Sequence, residues 1–473
     1  MAWVDRFTKV SEAIWEASVA ARAGMRVPAR IVADEVLLKQ IGRDRSIEQL
    51  MNVATLPGLV GAVVGMPDMH EGYGFPVGGV AAMSLVDGVI SPGGIGFDIN
   101  CGVRLLTTGL EQDDLDVEPV LHELMRRIPA GYGHGGRLEL SDDELDRVLE
   151  GGAPEVVRRF RLGEPDDVER VEGGGRLAGA RAVAVSERAK QRGRDQLGTL
   201  GGGNHFLEIQ RVQAVFDAEA ARAFGLRLGG VTVLIHTGSR GLGHQVCTDH
   251  VRAMVASLAR YGLTLPDRQL ACAPFASPEG ESYFAAMCAA ANFAFANRQV
   301  LTHRVREVLA RTAPKAVVRV VYDVAHNIAK IEEHGGQRVC VHRKGATRAF
   351  GRGDPDVPEP YRAIGQPVLI PGSMGTASFV LAGNGASAVS FASACHGAGR
   401  AMSRTAAKAQ VRGGELRKEL AGRGIVVRCP SNAELAEEAP VAYKDVERVV
   451  DVVQRAGLAR KVARLVPLGV LKG

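Results

Sequence analysis

The sequence predicts an α+β fold in which mixed strands, peripheral helices and many glycine-rich turns form one integrated domain over residues 1–473. Apolar runs alternate with glycine turns, as expected for strands and their connections. No GxGxxG stands between a strand and a helix, so a doubly wound nucleotide-binding sheet is not indicated. Chemically distinctive segments recur from residue 68 to the last few residues, which argues against a separate catalytic module.

The composition is that of an ordinary globular protein, with 46% hydrophobic and 23% charged residues. A net charge of +5 is compatible with a polyanionic partner but does not establish one. The seven cysteines are scattered without a CxxC pair, which indicates neither a disulfide framework nor a zinc ribbon and favours a reducing cytoplasm. The charged first residues and the lack of a stretch of about 18 apolar residues predict neither export nor a membrane partner.

The first half of the chain contains one strand-rich and one helix-rich region. Hydrophobic spacing predicts a short amphipathic helix near 47–53, followed by strands and turns over 60–108. From about 111 to 195 the sequence is charged and helical in pattern, and we place this segment at the periphery. Its charge runs are typical of solvated helix faces, with an RNA-contacting surface as the alternative.

The second half alternates buried strands with helices. VTVLIH (231–236) and VVRVVYDV (317–324) are typical of buried strands, and a helix of about 20 residues is expected between them at 293–311. PVLIP and SFVLA are expected to form short strands. Two further helices are expected, from about 393 to 410 and from about 444 to 454.

The glycine-rich segment SPGGIGFDINCGVRLL places Asp98 and Cys101 three residues apart. A carboxylate and a thiolate together favour a transition metal over magnesium or calcium, which take oxygen ligands. Taken alone, such a pair is more typical of a buried structural cysteine beside a turn aspartate. The interpretation as a metal site therefore depends on further ligands elsewhere in the chain.

Three histidines in comparable settings supply those candidates. His205 follows a triple glycine in LGTLGGGNH, while His236 and His326 end the apolar runs VTVLIH and VVYDVAH. Neutral imidazole suits manganese, zinc and iron. With Asp98 and Cys101 these histidines form a five-ligand set for one or two metals, and two metals would clamp both sides of a phosphoryl displacement.

A separate histidine is a candidate nucleophile. In FASACHGAGRAMSR, His396 is expected at the start of a helix with Arg400 one turn later on the same face, an arrangement that would cradle a phosphate. A glycine-rich packing helix with an incidental histidine is the alternative. The chain contains no GxxxxGK followed by Ser or Thr and no KxDG, so a nucleotide would have to be held by other means.

The ordered motifs resemble those of the RtcB family of RNA ligases over roughly residues 66–473. The matching strings are PDMHEGYGFPVGG, GGIGFDINCGVRLL, DQLGTLGGGNHFLEIQ, HTGSRGLGHQV, YDVAHNIAK, VHRKGATRAF, PGSMGTASFVLAG, SACHGAGRAMSR and the closing LKG. The resemblance implies joining of RNA 2′,3′-cyclic phosphate or 3′-phosphate ends to 5′-hydroxyl ends, in tRNA splicing or RNA repair. It implies RNA and GTP as partners, two Mn²⁺ ions per site, and histidine-GMP and RNA-3′-ppG intermediates. It also allows for an activating protein.

The resemblance also assigns residues. It makes Asp98, Cys101, His205, His236 and His326 the manganese ligands, with the Cys101 thiolate shared between two ions, and His396 the residue that carries GMP. The residues implied to hold the guanylate are Asn204, Glu208, Ser373, Ser378, Arg400, Tyr443 and Lys472, and Arg240 is implied as a phosphate or RNA contact.

Two rival hypotheses remain open at this point. A dinuclear-metal cyclic phosphodiesterase or hydrolase would use the same five ligands without nucleotide transfer, and it would give His396 no role. A metal-containing RNA-binding protein without catalysis would leave Glu208, Tyr443 and Lys472 unexplained.

Overall fold

The computed structural model describes residues 3–131, 133 and 135–473 and confirms the α+β class. Its strands are β1 (Thr8–Ser11), β2 (Ile14–Ala17), β3 (Ala29–Val32), β4 (Leu59–His70), β5 (Val77–Ser84), β6 (Val89–Ile90), β7 (Gly102–Glu111), β8 (Phe206–Val215), β9 (Gly230–Thr237), β10 (Ala273–Pro274), β11 (Arg319–Ala325), β12 (Asn327–His334), β13 (Gln337–Lys344), β14 (Ala346–Arg348), β15 (Pro367–Ile370), β16 (Ser378–Gly383), β17 (Ser393–Cys395), β18 (Val426–Arg428) and β19 (Ala459–Lys472). The α-helices are α1 (Glu35–Ile41), α2 (Ser46–Val53), α3 (Val117–Arg127), α4 (Asp142–Phe160), α5 (Pro165–Glu169), α6 (Glu187–Gly193), α7 (Ala218–Ala223), α8 (Arg240–Ser257), α9 (Pro278–Thr312), α10 (Ser387–Ser390), α11 (Arg404–Gln410), α12 (Gly413–Gly422), α13 (Asn432–Glu437) and α14 (Val446–Arg455).

Two large sheets organise the described part of the chain. One has the order β1-β2-β3-β4-β5-β13-β12, and the other has the order β11-β7-β9-β8-β19-β16-β15, with β18 also paired to β19. Among the strand pairs of the described residues, β3–β4 and β18–β19 are parallel and the others are antiparallel. This mixed, largely antiparallel arrangement differs from a doubly wound parallel sheet, as the sequence predicts.

The second sheet brings four strand ends to one edge. Because β11, β7, β9 and β8 are neighbours and run antiparallel, β7 and β8 begin where β9 and β11 end. The register shows this directly, since Gly102 pairs with both Ala325 and Thr237, and Phe206 pairs with His236. Side chains at these four ends therefore meet although they are far apart in sequence.

Helix α9 is longer than the sequence pattern predicts. The expected helix at 293–311 exists, but it begins at Pro278, where Ser277 caps it by accepting a hydrogen bond from the backbone N–H of Gly280. Its alanine-rich middle is buried on every side, so it lacks the one-sided periodicity from which a helix is usually recognised.

The predicted helix over 393–410 is wrong in its first half. Ser393–Cys395 is strand β17, which pairs with β14, and only Arg404–Gln410 is helical. Gly399 has φ +73°, and a Cβ there would lie 2.1 Å from the backbone oxygen of Asp68, so the turn requires glycine. Ser403 then starts α11 by accepting from the backbone N–H of Ala406. His396 consequently lies in a loop, and Arg400 does not share a helix face with it.

The remaining elements are confirmed with small shifts at their ends. The helices expected near 47–53 and 444–454 are α2 and α14, and the strands expected at 231–236, 317–324, PVLIP and SFVLA are β9, β11, β15 and β16. The 111–195 segment contains α3 to α6, and α4 buries its apolar side against α9 while Asp142 and Asp143 are exposed. Among the described residues, no helix has the length and apolarity needed to cross a membrane.

Candidate active site

The shared edge of the second sheet carries the predicted metal ligands. Cys101 directly precedes β7, and His205 directly precedes β8. His236 is the penultimate residue of β9, and His326 joins β11 to β12. Asp98 lies in the turn just before Cys101, so the five side chains converge on one point. We call this set the metal-ligand cluster.

The cluster divides into two groups that share one atom. Asp98, Cys101 and His205 form one group, and Cys101, His236 and His326 form the other; within each group the ligand atoms lie within 4.8 Å of one another. Cys101 Sγ is 3.4 Å from His205 Nε2 and 3.3 Å from His236 Nε2. Asp98 Oδ2 is 2.8 Å from His205 Nε2, and the Nε2 atoms of His236 and His326 are 3.4 Å apart. The sulfur is therefore the one ligand atom common to both groups.

Burial sets the protonation of the cluster. Burial acts to raise the pKa of Asp98, but the charge of neighbouring His205 outweighs it and lowers this pKa to about 2. Burial, followed by the charges of other histidines, holds the pKa of His236 and His326 well below the ordinary histidine value. Burial and the Asp98 charge raise the pKa of the Cys101 thiol. A low pKa favours the neutral form of His236 and His326, which is the form that ligates a metal, and a bound cation would stabilise the Cys101 thiolate.

The donor set fits a transition metal. Thiolate, imidazole and carboxylate donors within 4.8 Å of one another suit manganese, iron or zinc better than magnesium or calcium. Asp98 Oδ1 is buried and has no hydrogen-bond partner among the described atoms, which is costly unless a cation lies beside it. The cluster therefore supports a metal cofactor.

Arg298 anchors the backbone next to two residues of the metal-ligand cluster. This fully buried residue of α9 donates to the Asn100 backbone oxygen at 2.9 Å, the Thr237 backbone oxygen at 2.8 Å and the Asn100 side chain at 2.9 Å. Its charge is balanced by Asp323 at 2.9 Å. Since Asn100 and Thr237 adjoin Cys101 and His236 in sequence, one guanidinium fixes the loops that present two candidate ligands.

His396 lies beside the cluster and is held by Asp68. The His396 and His326 ring centres are 4.9 Å apart, and His396 Nδ1 is 2.6 Å from Asp68 Oδ2. The same oxygen accepts from the backbone N–H groups of His396 and Gly397. Burial acts to raise the pKa of Asp68, but its close interaction with the His396 ring, followed by the charge of Lys444, holds it below its ordinary value. This carboxylate orients the ring so that Nε2 remains available as a nucleophile.

Sequence reasoning assigned no role to Asp68 or to two buried lysines near it. Lys444 Nζ donates to the backbone oxygens of Asp68 and Met69, and burial lowers its pKa to about 8. Lys344 lines the cavity described below, and burial lowers its pKa to about 7. Two of these residues could have been found from the motif strings, since PDMHEGYGFPVGG contains Asp68 and VHRKGATRAF contains Lys344.

A cavity of about 270 Å³ opens over the cluster and His396. Of the residues expected to hold the guanylate, Asn204, Arg400 and Tyr443 line it. Arg400 stacks on the Tyr443 ring at 5.1 Å from its centre and pairs with Glu438 at 3.2 Å. Arg240 lies at the other side of the cluster, with Nη1 3.0 Å from His205 Nδ1.

The other expected guanylate residues are buried on adjoining strands and turns of the second sheet. Glu208 in β8 accepts a hydrogen bond from Gln210 Nε2, whose amide also donates to Ser378 Oγ at 2.9 Å. Lys472 Nζ donates to the backbone oxygens of Gly203 and His205. Burial raises the pKa of Glu208 to about 8. Ser373 lies in the turn before β16, where its backbone N–H donates to Thr376.

Comparison with known proteins assigns the chain to a family. A family model described as "tRNA-splicing ligase RtcB" matches residues 49–473. The chain belongs to the RtcB family. It is 55% identical to the tRNA-splicing ligase RtcB of Thermococcus kodakarensis, over 95% of each chain. It is also 52% identical to the tRNA-splicing ligase RtcB of Archaeoglobus fulgidus, over 98% of each chain, and 54% identical to the RNA-splicing ligase RtcB of Mycobacterium tuberculosis, over 90% of this chain and 100% of the relative.

Proposed function

We propose that this RtcB-family chain is an RNA ligase that uses GTP and two Mn²⁺ ions to join an RNA 2′,3′-cyclic phosphate or 3′-phosphate end to a 5′-hydroxyl end. The observation that carries the proposal is the position of His396, which touches the metal-ligand cluster and is oriented by Asp68. A hydrolase would not need such a histidine. The relatives' names support tRNA splicing as one setting, with RNA repair as another.

The proposed roles follow from the positions of the side chains. His396 Nε2 attacks the α-phosphorus of GTP and pyrophosphate leaves. A 2′,3′-cyclic phosphate end is first hydrolysed by water to the 3′-phosphate, with cleavage of the bond to O2′. The RNA 3′-phosphate then takes GMP from the histidine, and the 5′-hydroxyl attacks the activated phosphate and expels GMP. Asp68 stabilises the imidazolium at Nδ1. Bound by Asp98, Cys101 and the three clustered histidines, Mn²⁺ would supply Lewis-acid stabilisation of phosphate charge.

We further infer that residues 1–473 act as one ligase domain with a helical segment at 111–195. Both large sheets contribute to the cavity, because His70 and Lys344 belong to the first sheet and Phe206 and His236 to the second. The proposed partners are RNA and GTP, and an activating protein remains part of the hypothesis.

The decisive test is intact-protein mass spectrometry after incubation with GTP and MnCl₂. We expect the wild-type chain to gain the mass of one GMP and His396→Ala to gain none. His303→Ala, which alters a partly exposed histidine of α9, is the matched control and should form the adduct. A metal-loaded wild type without an adduct would contradict the ligase proposal and leave the hydrolase hypothesis in its place.

We also propose that Glu208 recognises guanine, and this predicts a pH dependence. The N1 and N2 hydrogens of guanine would donate to the carboxylate, yet burial raises the pKa of Glu208 to about 8, so the ligand-free group is mostly protonated at pH 7. Because guanine binds the ionised form, GTP affinity should rise roughly 10- to 30-fold between pH 6.5 and 8.5.

Calorimetric titration of GTP into His396→Ala, which cannot react, measures this dependence. Glu208→Gln should bind GTP about 10-fold or more weakly at pH 8.5 and should lose most of the pH dependence. Glu219→Gln on the exposed face of α7 is the control and should change neither. Unchanged GTP affinity in Glu208→Gln would remove Glu208 from guanine recognition.

A further inference from the structure

A cluster of three aromatic rings beside the cavity takes no part in the steps above. We call Tyr73, Phe97 and His244 the aromatic cluster. The Phe97 ring centre lies 5.2 Å from that of Tyr73 in an edge-on contact and 4.9 Å from that of His244 in a stacked contact. Phe97 also lines the cavity. Tyr73 and Phe97 are only partly buried and His244 is exposed, so part of the cluster's surface is accessible to a ligand.

The backbone holds the aromatic cluster in place. Lys344 Nζ donates to the backbone oxygens of Tyr73 at 2.7 Å and of Phe75 at 2.9 Å, and the N–H of Gly74 donates to Gln269 Oε1 at 3.0 Å. Burying a lysine ammonium costs free energy, and here the ammonium binds two carbonyls of a surface turn. This cost is understandable if the turn must keep its position. The rings are therefore preorganised for a planar ligand.

The aromatic cluster adjoins the metal-ligand cluster through Asp98, which follows Phe97 in sequence. Asp98 Oδ2 lies 2.8 Å from His205 Nε2, and His205 in turn lies 3.4 Å from Cys101 Sγ. Phe97 and His396 line the same cavity. A ligand on the aromatic cluster would thus lie within reach of the metal-ligand cluster.

Cationic side chains flank the aromatic cluster. Arg192 is exposed, donates to Gln245 Oε1 at 3.1 Å next to His244, and acts electrostatically on the His244 ring. Arg240 begins α8, the helix that carries His244. Aromatic faces beside arginines are the combination by which proteins hold single-stranded nucleic acid, since bases stack on the rings while phosphates face the cations.

We propose that the aromatic cluster stacks a nucleobase at the RNA end that reacts at the metal-ligand cluster. This inference rests on the proposed ligase function, and it adds the surface that positions the RNA end at the metal-ligand cluster. Stacking uses the face of the base, so it would accept all four bases and suit an enzyme that joins ends of differing sequence. The terminal base of either the 3′-phosphate strand or the 5′-hydroxyl strand has the required chemistry.

Fluorescence of 2-aminopurine distinguishes these two sources. One RNA carries it as the terminal nucleotide before a 3′-phosphate, and the other carries it as the first nucleotide after a 5′-hydroxyl. With manganese present and GTP omitted, wild type should quench one of the two probes through stacking. Tyr73→Leu and Phe97→Leu should bind that RNA roughly 5- to 150-fold more weakly, the range expected for one stacked base. Phe97→Trp should restore quenching.

Two controls separate failure of this inference from failure of the ligase function. Phe216→Leu removes an exposed ring at another surface and should bind RNA as wild type does. Tyr73→Leu should still form the GMP adduct and hold metal. If Phe97→Leu loses metal because the neighbouring Asp98 moves, the RNA affinity of Tyr73→Leu alone tests the aromatic cluster. If RNA binds without quenching of either probe, or if Tyr73→Leu binds RNA as tightly as wild type, the aromatic cluster does not stack a base. Either result would leave the proposed ligase function standing. No GMP adduct in wild type would instead overturn the proposed function.

Discussion

Replacing Cys101 with alanine is expected to remove both metal ions from the protein at once. Its sulfur is the one atom common to both ligand groups, lying 3.4 Å from His205 Nε2 and 3.3 Å from His236 Nε2. Loss of an outer partner of a metal ligand already costs about 10- to 100-fold in affinity, so loss of a shared ligand should exceed ~100-fold for each ion. Metal analysis of the purified variant after dialysis measures the effect.

The ligand groups predict a graded result in the other variants. His326→Ala removes a ligand from one group only and should retain about one ion per chain, whereas wild type should hold two. Cys288→Ala alters an equally buried thiol in α9 and should retain both. In cobalt-loaded protein, the thiolate charge-transfer absorption should vanish with Cys101→Ala. Two ions per chain in Cys101→Ala would show that the sulfur bridges nothing.

Of the substitutions discussed, Arg298→Met should lower the free energy of unfolding most. The variant leaves Asp323 paired with Arg104, but it deprives the buried Asn100 and Thr237 carbonyls of the Arg298 donor. A buried acceptor that loses its donor costs about 1–3 kcal/mol, so the two carbonyls together cost roughly 2–6 kcal/mol. We expect the free energy of unfolding in urea to fall by that amount in metal-free protein.

Arg304→Met on the same helix is the matched control. Arg304 is only partly buried and pairs with Glu307 one turn away, so its removal should cost about 1 kcal/mol or less. Folded Arg298→Met protein should also bind metal more weakly, because the backbone beside Cys101 and His236 has lost its anchor. Equal destabilisation by the two variants would contradict the special role of Arg298.

Local sequence patterns predicted the parts of the site that depend on local structure. β9 and β11 were recognisable because their apolar, β-branched runs differ sharply from the glycine turns around them, and this placed His236 and His326 at strand ends. The pairing order β11-β7-β9-β8, which brings those ends together, is a tertiary property and leaves no local signal. The five ligands were grouped by chemical type and family resemblance, and the sheet supplies the physical reason that they meet.

The errors have equally specific causes. Residues 393–403 contain small and polar residues that a helix tolerates. Gly399, however, adopts positive φ, and the backbone of Asp68 packs against it too closely for a side chain. This contact joins distant parts of the chain. Asp68 itself was missed because its partner His396 is 328 residues away. The early start of α9 was missed because a helix buried on all sides shows no hydrophobic stripe.

Because its ligands lie far apart in sequence, a bound cation would cross-link the folded chain as well as serve as a cofactor. Two ions held by residues from four separate strand ends would close long loops, whose closure costs entropy in the unfolded chain, and they would bind the folded chain in preference to the unfolded one. At a free-ion concentration 100 times the dissociation constant, this linkage adds about 2.7 kcal/mol to the free energy of unfolding. Scarcity of the ion would therefore shorten the lifetime of the protein against proteases, in addition to lowering its catalytic rate.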